Sequence, residues 1–258
     1  MTHPWFAGAA PPRVLAHRGL VTAEDARAGI VENSFAAIVA AHAAGAAYVE
    51  SDCHRTADGV IVLFHDEDLS RVTGDPRKVA QVGSRELEQL MAERGGLVTL
   101  AQALDAFPTL RFNLDVKAAD AAVDVGTIVA RHADRVLLTS FSDARRLAAL
   151  RAAASTGRGT RPATSGGRRT IARVLTALTA RSDRLLTRAL ADVDALQVPE
   201  RQGALRIVTP RFLSAAHRHG VEVHVWTVND PGDMVRLVES GVDGIVTDRA
   251  DVALATLS

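Results

Sequence analysis

The chain reads RVLAH at residues 13–17 and AYVESD at residues 47–52, with an Ala-rich segment, residues 34–44, between them. The outer two stretches are short, largely apolar and polar at their ends, as β-strands are, whereas the middle stretch has the composition of a helix. A strand, a helix and a second strand in this order predict a βαβ unit with parallel strands. The polar ends of such strands meet at one edge of the sheet.

The same alternation continues to the end of the chain. Further strands are predicted at residues 111–117, 135–139, 161–165, 195–198, 221–228 and 244–247, and helices at residues 34–44, 99–106, 119–132, 142–153, 168–181, 210–219 and 233–240. Eight strands are what a closed (β/α)8 barrel, the TIM barrel, requires, and a doubly wound open sheet is the alternative. The strand at 161–165 is assigned mainly because the barrel needs it, since its surroundings are rich in Ser, Thr, Gly and Arg.

The length of 258 residues suits one domain, because α/β barrels of about 250 residues form single units. We therefore predict one barrel domain over residues 1–258, with residues 1–12 as a short surface lead-in. The turn signal Ala57-Asp58-Gly59 predicts a hairpin that folds His65 back toward the second strand. Residues from about 53 to 98 are then a small hairpin and loop insertion over the barrel mouth.

Composition restricts the partners of the chain. Thirty Lys and Arg residues balance thirty Asp and Glu residues, so no overall field attracts nucleic acid or an anionic membrane. The single cysteine, Cys53, excludes an internal disulfide framework. The N-terminus lacks a secretory signal, and no stretch offers the roughly 20 apolar residues of a membrane span. These features predict a soluble, cytoplasmic protein without a stable membrane anchor.

Three acidic residues are predicted to converge. Glu50 and Asp52 share one face of the second strand because side chains alternate along a strand, and Asp115 lies on the next strand. Three carboxylates form the oxygen-rich environment that Mg²⁺ or Ca²⁺ prefers, and they suit Zn²⁺ less well. Lys117, at the same end, is expected either to neutralise a phosphate oxygen or to form a salt bridge with a barrel acid.

Basic groups at the strand ends suggest phosphodiester chemistry. His17 ends the first strand, where barrel enzymes keep catalytic groups, and the planar guanidinium of Arg18 can hold a phosphate by two hydrogen bonds. His65 follows a second extended run, and two proton-transfer groups suit phosphoryl transfer between two oxygens. Trp226 near the end of the seventh strand either packs in the core or forms a wall of the substrate pocket.

The order of these motifs resembles the glycerophosphodiester phosphodiesterase family, from about residue 13 to residue 250. The resemblance is carried by His17-Arg18-Gly19, Glu32-Asn33-Ser34, Glu50-Ser51-Asp52, Asp58-Gly59, His65-Asp66 with Leu69, Arg71, Thr73 and Gly74, Asn113-Leu114-Asp115-Val116-Lys117, Trp226-Thr227-Val228-Asn229, and Gly241-Val242-Asp243-Gly244-Ile245-Val246-Thr247-Asp248. Taken in order the motifs are specific, whereas none of them is so alone.

The resemblance implies a barrel hydrolase that splits glycerophosphodiesters, such as glycerophosphocholine or glycerophosphoethanolamine, into glycerol 3-phosphate and an alcohol. By matching position it implies an acid/base pair (His17, His65), phosphate contacts (Arg18, Lys117) and ligands of a divalent metal ion (Glu50, Asp52, Asp115). Asp115 stands where the family usually has the longer glutamate, and Ser34 replaces a common threonine.

Two other functions fit the same residues. A related phospholipase of the sphingomyelinase D type would use the same barrel mouth on a lipid, and would need an exposed apolar rim. A non-catalytic barrel would bind a phosphate ligand without turnover. Fold alone does not decide between them, because barrels host many reactions.

Overall fold

A computed structural model describes residues 3–8, 10–157 and 159–257. Its strands are β1 (Arg13–His17), β2 (Tyr48–Arg55), β3 (Ile61–Leu63), β4 (Arg111–Val116), β5 (Val136–Thr139), β6 (Ala163–Thr164), β7 (Ala195–Val198), β8 (Arg201–Gln202), β9 (Leu205–Arg206), β10 (Glu222–Val225) and β11 (Gly244–Thr247). Its α-helices are α1 (Ala23–Arg27), α2 (Phe35–Ala43), α3 (Ser70–Thr73), α4 (Ser84–Met91), α5 (Leu100–Ala106), α6 (Ala122–Val129), α7 (Asp143–Ser155), α8 (Arg168–Thr179), α9 (Asp183–Leu190), α10 (Pro210–Arg218), α11 (Pro231–Glu239) and α12 (Ala250–Leu257). None of these helices has the length and apolar character needed to cross a membrane.

Eight of the strands form a parallel barrel. They are hydrogen-bonded in the order β6-β5-β4-β2-β1-β11-β10-β7, and a parallel bridge between Ser165 and Ala195 joins the two outer strands. Helices follow the strands and cover the outside of the sheet with a large apolar layer. The predicted TIM barrel is therefore confirmed, and the open doubly wound sheet is excluded because its end strands would not meet.

The strand assignments agree well with the sequence pattern. Strands β1, β7 and β11 have the predicted bounds, whereas β6 is only two residues long and β10 ends at Val225 instead of residue 228. The predicted helix at 119–132 divides into α6 and a 3-10 helix, Ala130–Arg135. Sequence analysis missed α1, α3, α4, α9 and α12, all of eight residues or fewer, because a helix of about two turns repeats its apolar spacing too few times to be recognised.

Capping residues define the helix that leads from β1 to β2. The Ser34 side chain accepts a hydrogen bond from the backbone N–H of Ala37 and so begins α2. Gly45, with φ of 91°, follows the helix in the left-handed conformation that L-residues avoid. These two ends return the chain to β2 in parallel register with β1.

The segment after β2 has a core of its own. Strand β3 pairs antiparallel with β2, so the turn at residues 57–59 forms the hairpin that its sequence predicts. The segment that follows contains α3 and α4, and its buried apolar side chains are Val62, Phe64, Leu69, Val79, Val82, Leu87 and Met91. This packing fixes the backbone at the end of β3, where His65 lies.

The N-terminal segment closes the bottom of the barrel, which corrects the expectation of a surface lead-in. Trp5 is completely buried, and its indole N–H donates to the carbonyl of Phe112 at 3.1 Å. The hydroxyl of Tyr48 donates to the Trp5 carbonyl at 3.3 Å, and the two rings lie 4.7 Å apart. Trp5 and Phe6 fill the interior at the N-terminal ends of the strands, because burying two aromatic rings outweighs the cost of ordering a short segment.

A buried ion pair crosses the same end of the barrel. The guanidinium of Arg13 donates to both carboxylate oxygens of Glu222, at 2.7 and 2.8 Å, and to the hydroxyl of Tyr48 at 2.7 Å. Burial alone would raise the pKa of Glu222, but hydrogen bonds from Arg13 and His224 lower it to about 2. The pair therefore links the first strand to the tenth in a charged state.

Acid should remove the contribution of Glu222 to stability. Its pKa is lower in the folded chain than in the unfolded chain, so the contribution is complete above about pH 4.5 and is lost as the pH falls toward 2. We expect Glu222→Gln to lower the free energy of urea unfolding by on the order of 2–3 kcal/mol at pH 7 and by much less near pH 2.5. The exposed Glu239→Gln should change it little at either pH, and an equal loss for Glu222→Gln at both pH values would contradict this assignment.

Candidate active site

The predicted site residues line one cleft at the C-terminal ends of the barrel strands. This cleft has a volume of about 920 Å³, and its lining includes His17, Arg18, Glu50, Asp52, His65, Asp115, Lys117 and Trp226. In barrels of this type the strand ends and the loops after them carry the chemistry. The structure thus brings together all eight residues that the sequence proposed, although they come from β1, β2, β4 and the loops after β1, β3, β4 and β10.

Strand register sets the neighbours within the cleft. His17 of β1 lies beside Glu50 of β2, and Asp52 lies beside Asp115 of β4. Because side chains alternate across a strand, these four side chains point to the same side of the sheet. The parallel pairing of β1, β2 and β4 therefore assembles the acidic part of the site.

The backbone after β1 turns sharply to place Arg18. Arg18 has a φ of 58°, and its backbone N–H donates to the carbonyl of Glu50 at 2.8 Å. Gly19 follows with a φ of 89°, and a Cβ there would lie 2.7 Å from the backbone of Ala37. Glycine is required at this point because α2 passes too close for any side chain.

His17 is held by the carboxylate of Asp248, which directly follows β11. Its Nδ1 donates to Oδ1 of Asp248 at 2.6 Å, and its Nε2 lies 3.8 Å from Oε2 of Glu50. Burial works to lower the pKa of His17, but the hydrogen bond with Asp248 and the charge of Glu50 outweigh it, and the pKa is raised. The ring therefore has a fixed orientation with Nε2 toward the acidic group, and it gains a proton more readily than a free histidine.

His65 is held in the same way by its neighbour in sequence. Nδ1 of His65 donates to Oδ1 of Asp66 at 2.6 Å, and the other oxygen of Asp66 accepts from Arg71 at 2.6 Å. Arg71 also donates to Glu32 at 2.7 Å, which accepts from Arg18 at 2.7 Å. This chain of ion pairs connects the loop after β3 to the loop after β1, so Arg71 braces the hairpin segment against the barrel.

Lys117 forms the salt bridge that sequence analysis kept as one of its two roles. Its Nζ lies 2.8 Å from Oδ1 of Asp52 and 2.8 Å from Oδ2 of Asp115. Burial lowers the pKa of Lys117, but the charges of the two aspartates outweigh that effect and raise it. The ammonium also lines the cleft, so the salt bridge keeps a positive charge in the cleft wall.

Glu50 carries the most unusual carboxyl group of the site. Burial, followed by the negative charge of Asp52, raises its pKa to about 8. Asp52 behaves differently, because the charges of Lys117 and Arg18 overcome its burial and lower its pKa. Burial and a nearby negative charge both destabilise the ionised form of a carboxyl group, and a cation bound close by would stabilise it.

The acidic group fits a hard divalent cation by its chemistry. Oε2 of Glu50 and Oδ1 of Asp115 are buried without a hydrogen-bond partner among the described residues, and all three side chains supply oxygen ligands. Among the described residues, no group of three or more His, Cys, Asp or Glu side chains has the spacing needed to hold a metal ion. The positive charge between Asp52 and Asp115 is supplied by Lys117. A metal ion would satisfy the two oxygen atoms that lack partners.

Trp226 lies in the wall of the cleft, which is one of the two positions that the sequence predicted for it. The ring is partly exposed and meets Phe141 edge to face, with ring centroids 5.8 Å apart. Phe141 comes from the loop after β5 and is 44% exposed. Both aromatic rings line the cleft.

Sequence analysis named three residues that orient the site within its motifs but assigned them no role. Asp248 and Asp66 hold the two histidines, and Asn33 donates its Nδ2 to Asp52 at 3.0 Å. Asp66 could have been recognised because it directly follows His65, and Asp248 because it follows the last strand. Asn33 offers no such signal, since its positive φ of 57° and its burial are properties of the folded chain.

Comparisons with known proteins point to one family. A model of the "Glycerophosphoryl diester phosphodiesterase family" matches residues 17–252. A protein of Mycobacterium tuberculosis (strain ATCC 25618 / H37Rv) named "Probable glycerophosphodiester phosphodiesterase 2" is 35% identical over 242 residues, which cover 92% of this chain and 88% of that protein.

Solved structures share the fold. The glycerophosphodiester phosphodiesterase from Thermotoga maritima has a TM-score of 0.69 and 26% identity, covering 95% of this chain and 97% of the other. An Oleispira antarctica phosphodiesterase in complex with the product sn-glycerol-3-phosphate has a TM-score of 0.71 and 20% identity, covering 96% and 97%. Since the family model extends from the end of β1 into α12, this chain belongs to the glycerophosphoryl diester phosphodiesterase family.

Proposed function

We propose that this chain hydrolyses glycerophosphodiesters to glycerol 3-phosphate and an alcohol, using His17 and His65 for proton transfer and a divalent metal ion bound by Glu50, Asp52 and Asp115. The observation that carries the proposal is the arrangement of the two histidines. Each has Nδ1 bound to a carboxylate at 2.6 Å, and both line the cleft that also contains Arg18 and Lys117. Family membership and the name of the Mycobacterium tuberculosis relative support the same activity.

Hydrolysis of a phosphodiester needs two proton transfers. The bond between phosphorus and the alcohol oxygen breaks, and a new bond forms from phosphorus to the oxygen of water or of the glycerol 2-hydroxyl. Attack through the 2-hydroxyl gives a cyclic phosphate, which water then opens. One histidine removes the proton of the attacking oxygen at Nε2, and the other donates a proton to the departing alkoxide. Asp248 and Asp66 fix the tautomer of each ring, so that Nε2 is the atom that exchanges protons.

Arg18 and Lys117 bind the negative oxygens of the phosphate. Arg18 is held by Glu32 at 2.7 Å and by Asp52 at 3.2 Å, and Lys117 is held by two aspartates. These contacts fix both cations before the substrate binds, so their charges need little reorganisation as negative charge develops. A bound divalent cation would supply further polarisation of the phosphate and activation of the attacking oxygen.

A product assay tests the reaction. We expect purified protein with Mg²⁺ or Ca²⁺ to release glycerol 3-phosphate from glycerophosphocholine or glycerophosphoethanolamine, measured with a coupled dehydrogenase assay. Release of glycerol with phosphocholine would contradict the proposed bond cleavage. Tight binding of the diester without product over long incubation would support a non-catalytic barrel, and activity only on micellar lipid would support the sphingomyelinase D type.

A further inference from the structure

The cleft continues beyond the catalytic residues toward the loops that follow β5, β6 and β7. We call this part the outer cleft, and define it by the lining residues Phe141, Arg168, Ile171, Leu175, Arg201 and Leu205. The charged residues that line the outer cleft are Arg168 and Arg201. The carboxylates that line the cleft are Glu50, Asp52 and Asp115, and they lie on β2 and β4, outside the outer cleft. The outer cleft therefore carries positive charge, on an apolar surface, next to a site for phosphate.

Both arginines keep hydrogen-bond donors for a ligand. The guanidinium carbon of Arg168 lies 4.7 Å from the centre of the Phe141 ring, and such stacking leaves the in-plane N–H groups available. One terminal nitrogen of Arg201 donates to the carbonyl of Ala204 at 3.3 Å. Among residues 3–8, 10–157 and 159–257, neither guanidinium forms an ion pair with a carboxylate. Two guanidinium groups without an acidic partner can bind an anion.

The aromatic residue of the outer cleft, Phe141, and the adjoining Trp226 do not suit a cationic head group. Phe141 and Trp226 meet edge to face, and paired rings elsewhere bind quaternary ammonium groups by cation–π attraction. Here the Phe141 ring already contacts two cations, Lys117 Nζ at 5.6 Å and the guanidinium of Arg168 at 4.7 Å from its centre. A choline group in this position would be repelled by both, whereas an anion would be attracted by both.

We propose that the outer cleft selects glycerophosphodiesters whose alcohol carries a second phosphate, a monoester bound by Arg168 and Arg201. This inference rests on the proposed function, because it assigns the end of the substrate that leaves with the alcohol. The Phe141 ring lies in contact with both Lys117 and Arg168, so it connects the cation at the scissile phosphate with a cation for the second phosphate. Planar guanidinium groups are well matched to phosphate oxygens.

A pair of substrates with one skeleton tests the selection. Glycerophosphoglycerol has a neutral alcohol, and the same diester with a phosphate on the terminal hydroxyl of that alcohol has the proposed second anion. We expect the wild-type protein to prefer the phosphorylated substrate in kcat/KM by about three- to tenfold at low salt, the scale of exposed charge pairs. The preference should decrease as ionic strength increases.

Substitution of the arginines should remove only this preference. We expect the double variant Arg168→Gln, Arg201→Gln to have a kcat/KM ratio near one and to hydrolyse glycerophosphoglycerol within about twofold of the wild type. The control Arg169→Gln changes an exposed neighbour outside the cleft lining and should keep the preference.

Several results would overturn the proposal. Equal kcat/KM for the two substrates in the wild type, an unchanged ratio in the double variant, or a preference for glycerophosphocholine would each refute the anionic subsite while leaving the hydrolysis itself established. A stronger preference for a diester whose alcohol carries an aliphatic chain would assign the outer cleft to its apolar side chains instead. Failure to hydrolyse even glycerophosphoglycerol would refute the proposed function and this inference with it.

Discussion

Replacing His17 or His65 by alanine is expected to lower kcat for glycerophosphodiester hydrolysis by about 10²- to 10⁴-fold, the range typical of a positioned proton-transfer group. Each ring is fixed through Nδ1 by an aspartate, so each substitution removes a group whose Nε2 is already oriented for the reaction. Because the two groups act in one reaction, the double variant should lose much less than the product of the two single losses.

The controls for the histidine variants come from the same chain. His42→Ala changes an exposed histidine on α2 and should leave turnover unchanged. Circular dichroism and urea unfolding will show whether each variant is folded, which matters because His17 also holds Asp248. Asp248→Asn should retain both rings and still reduce kcat, since an amide can no longer fix the tautomer of His17 as a carboxylate does. Full turnover in both His17→Ala and His65→Ala would reject the pair as the acid and base.

Removal of divalent metal ions is expected to reduce turnover by on the order of 10²- to 10⁴-fold, corresponding to the several kcal/mol that a cation contributes at a developing phosphate charge. A cation bound here would be stabilised by the buried carboxyl of Glu50, whose pKa is raised to about 8 by burial and by Asp52, and by the Asp115 oxygen that has no hydrogen-bond partner among the described residues. Treatment with a chelator followed by gel filtration, and then titration with Mg²⁺, Ca²⁺ or Mn²⁺, measures both the loss and its recovery.

Variants can separate metal binding from general damage. Asp115→Asn should increase the metal concentration needed for half-maximal turnover, because a neutral amide oxygen binds a hard cation more weakly than a carboxylate. Asp105→Asn is the matched control, since Asp105 is 81% exposed and lies outside the cleft. If the chelated protein contained no metal by elemental analysis and kept full turnover, Lys117 and Arg18 would be the cations of the site.

The contacts of Trp5 and Asp248 could not be predicted from the sequence. Residues 3–8 show neither helical nor strand periodicity, so nothing local indicates that Trp5 fills the barrel interior. Its position depends on the backbone carbonyl of Phe112 and the ring of Tyr48, which are distant in the chain. His17 and Asp248 are likewise 231 residues apart. Such contacts follow from closure of the barrel, which short-range patterns do not specify.

The amino-acid sequence by itself determined the alternation of strands and helices and the polar residues at the strand ends. The count of eight strands also required the barrel fold, because the strand at 161–165 is assigned mainly to complete it. Side-chain periodicity and capping residues depend only on residues close together in the chain, so they can be recognised from the sequence. The tertiary structure alone decided which aspartate supports His17, how Lys117 is shared between Asp52 and Asp115, and how Arg168 and Arg201 reach the same cleft. These relations join strands and loops far apart in the chain, and their geometry is set by the packing of the closed barrel.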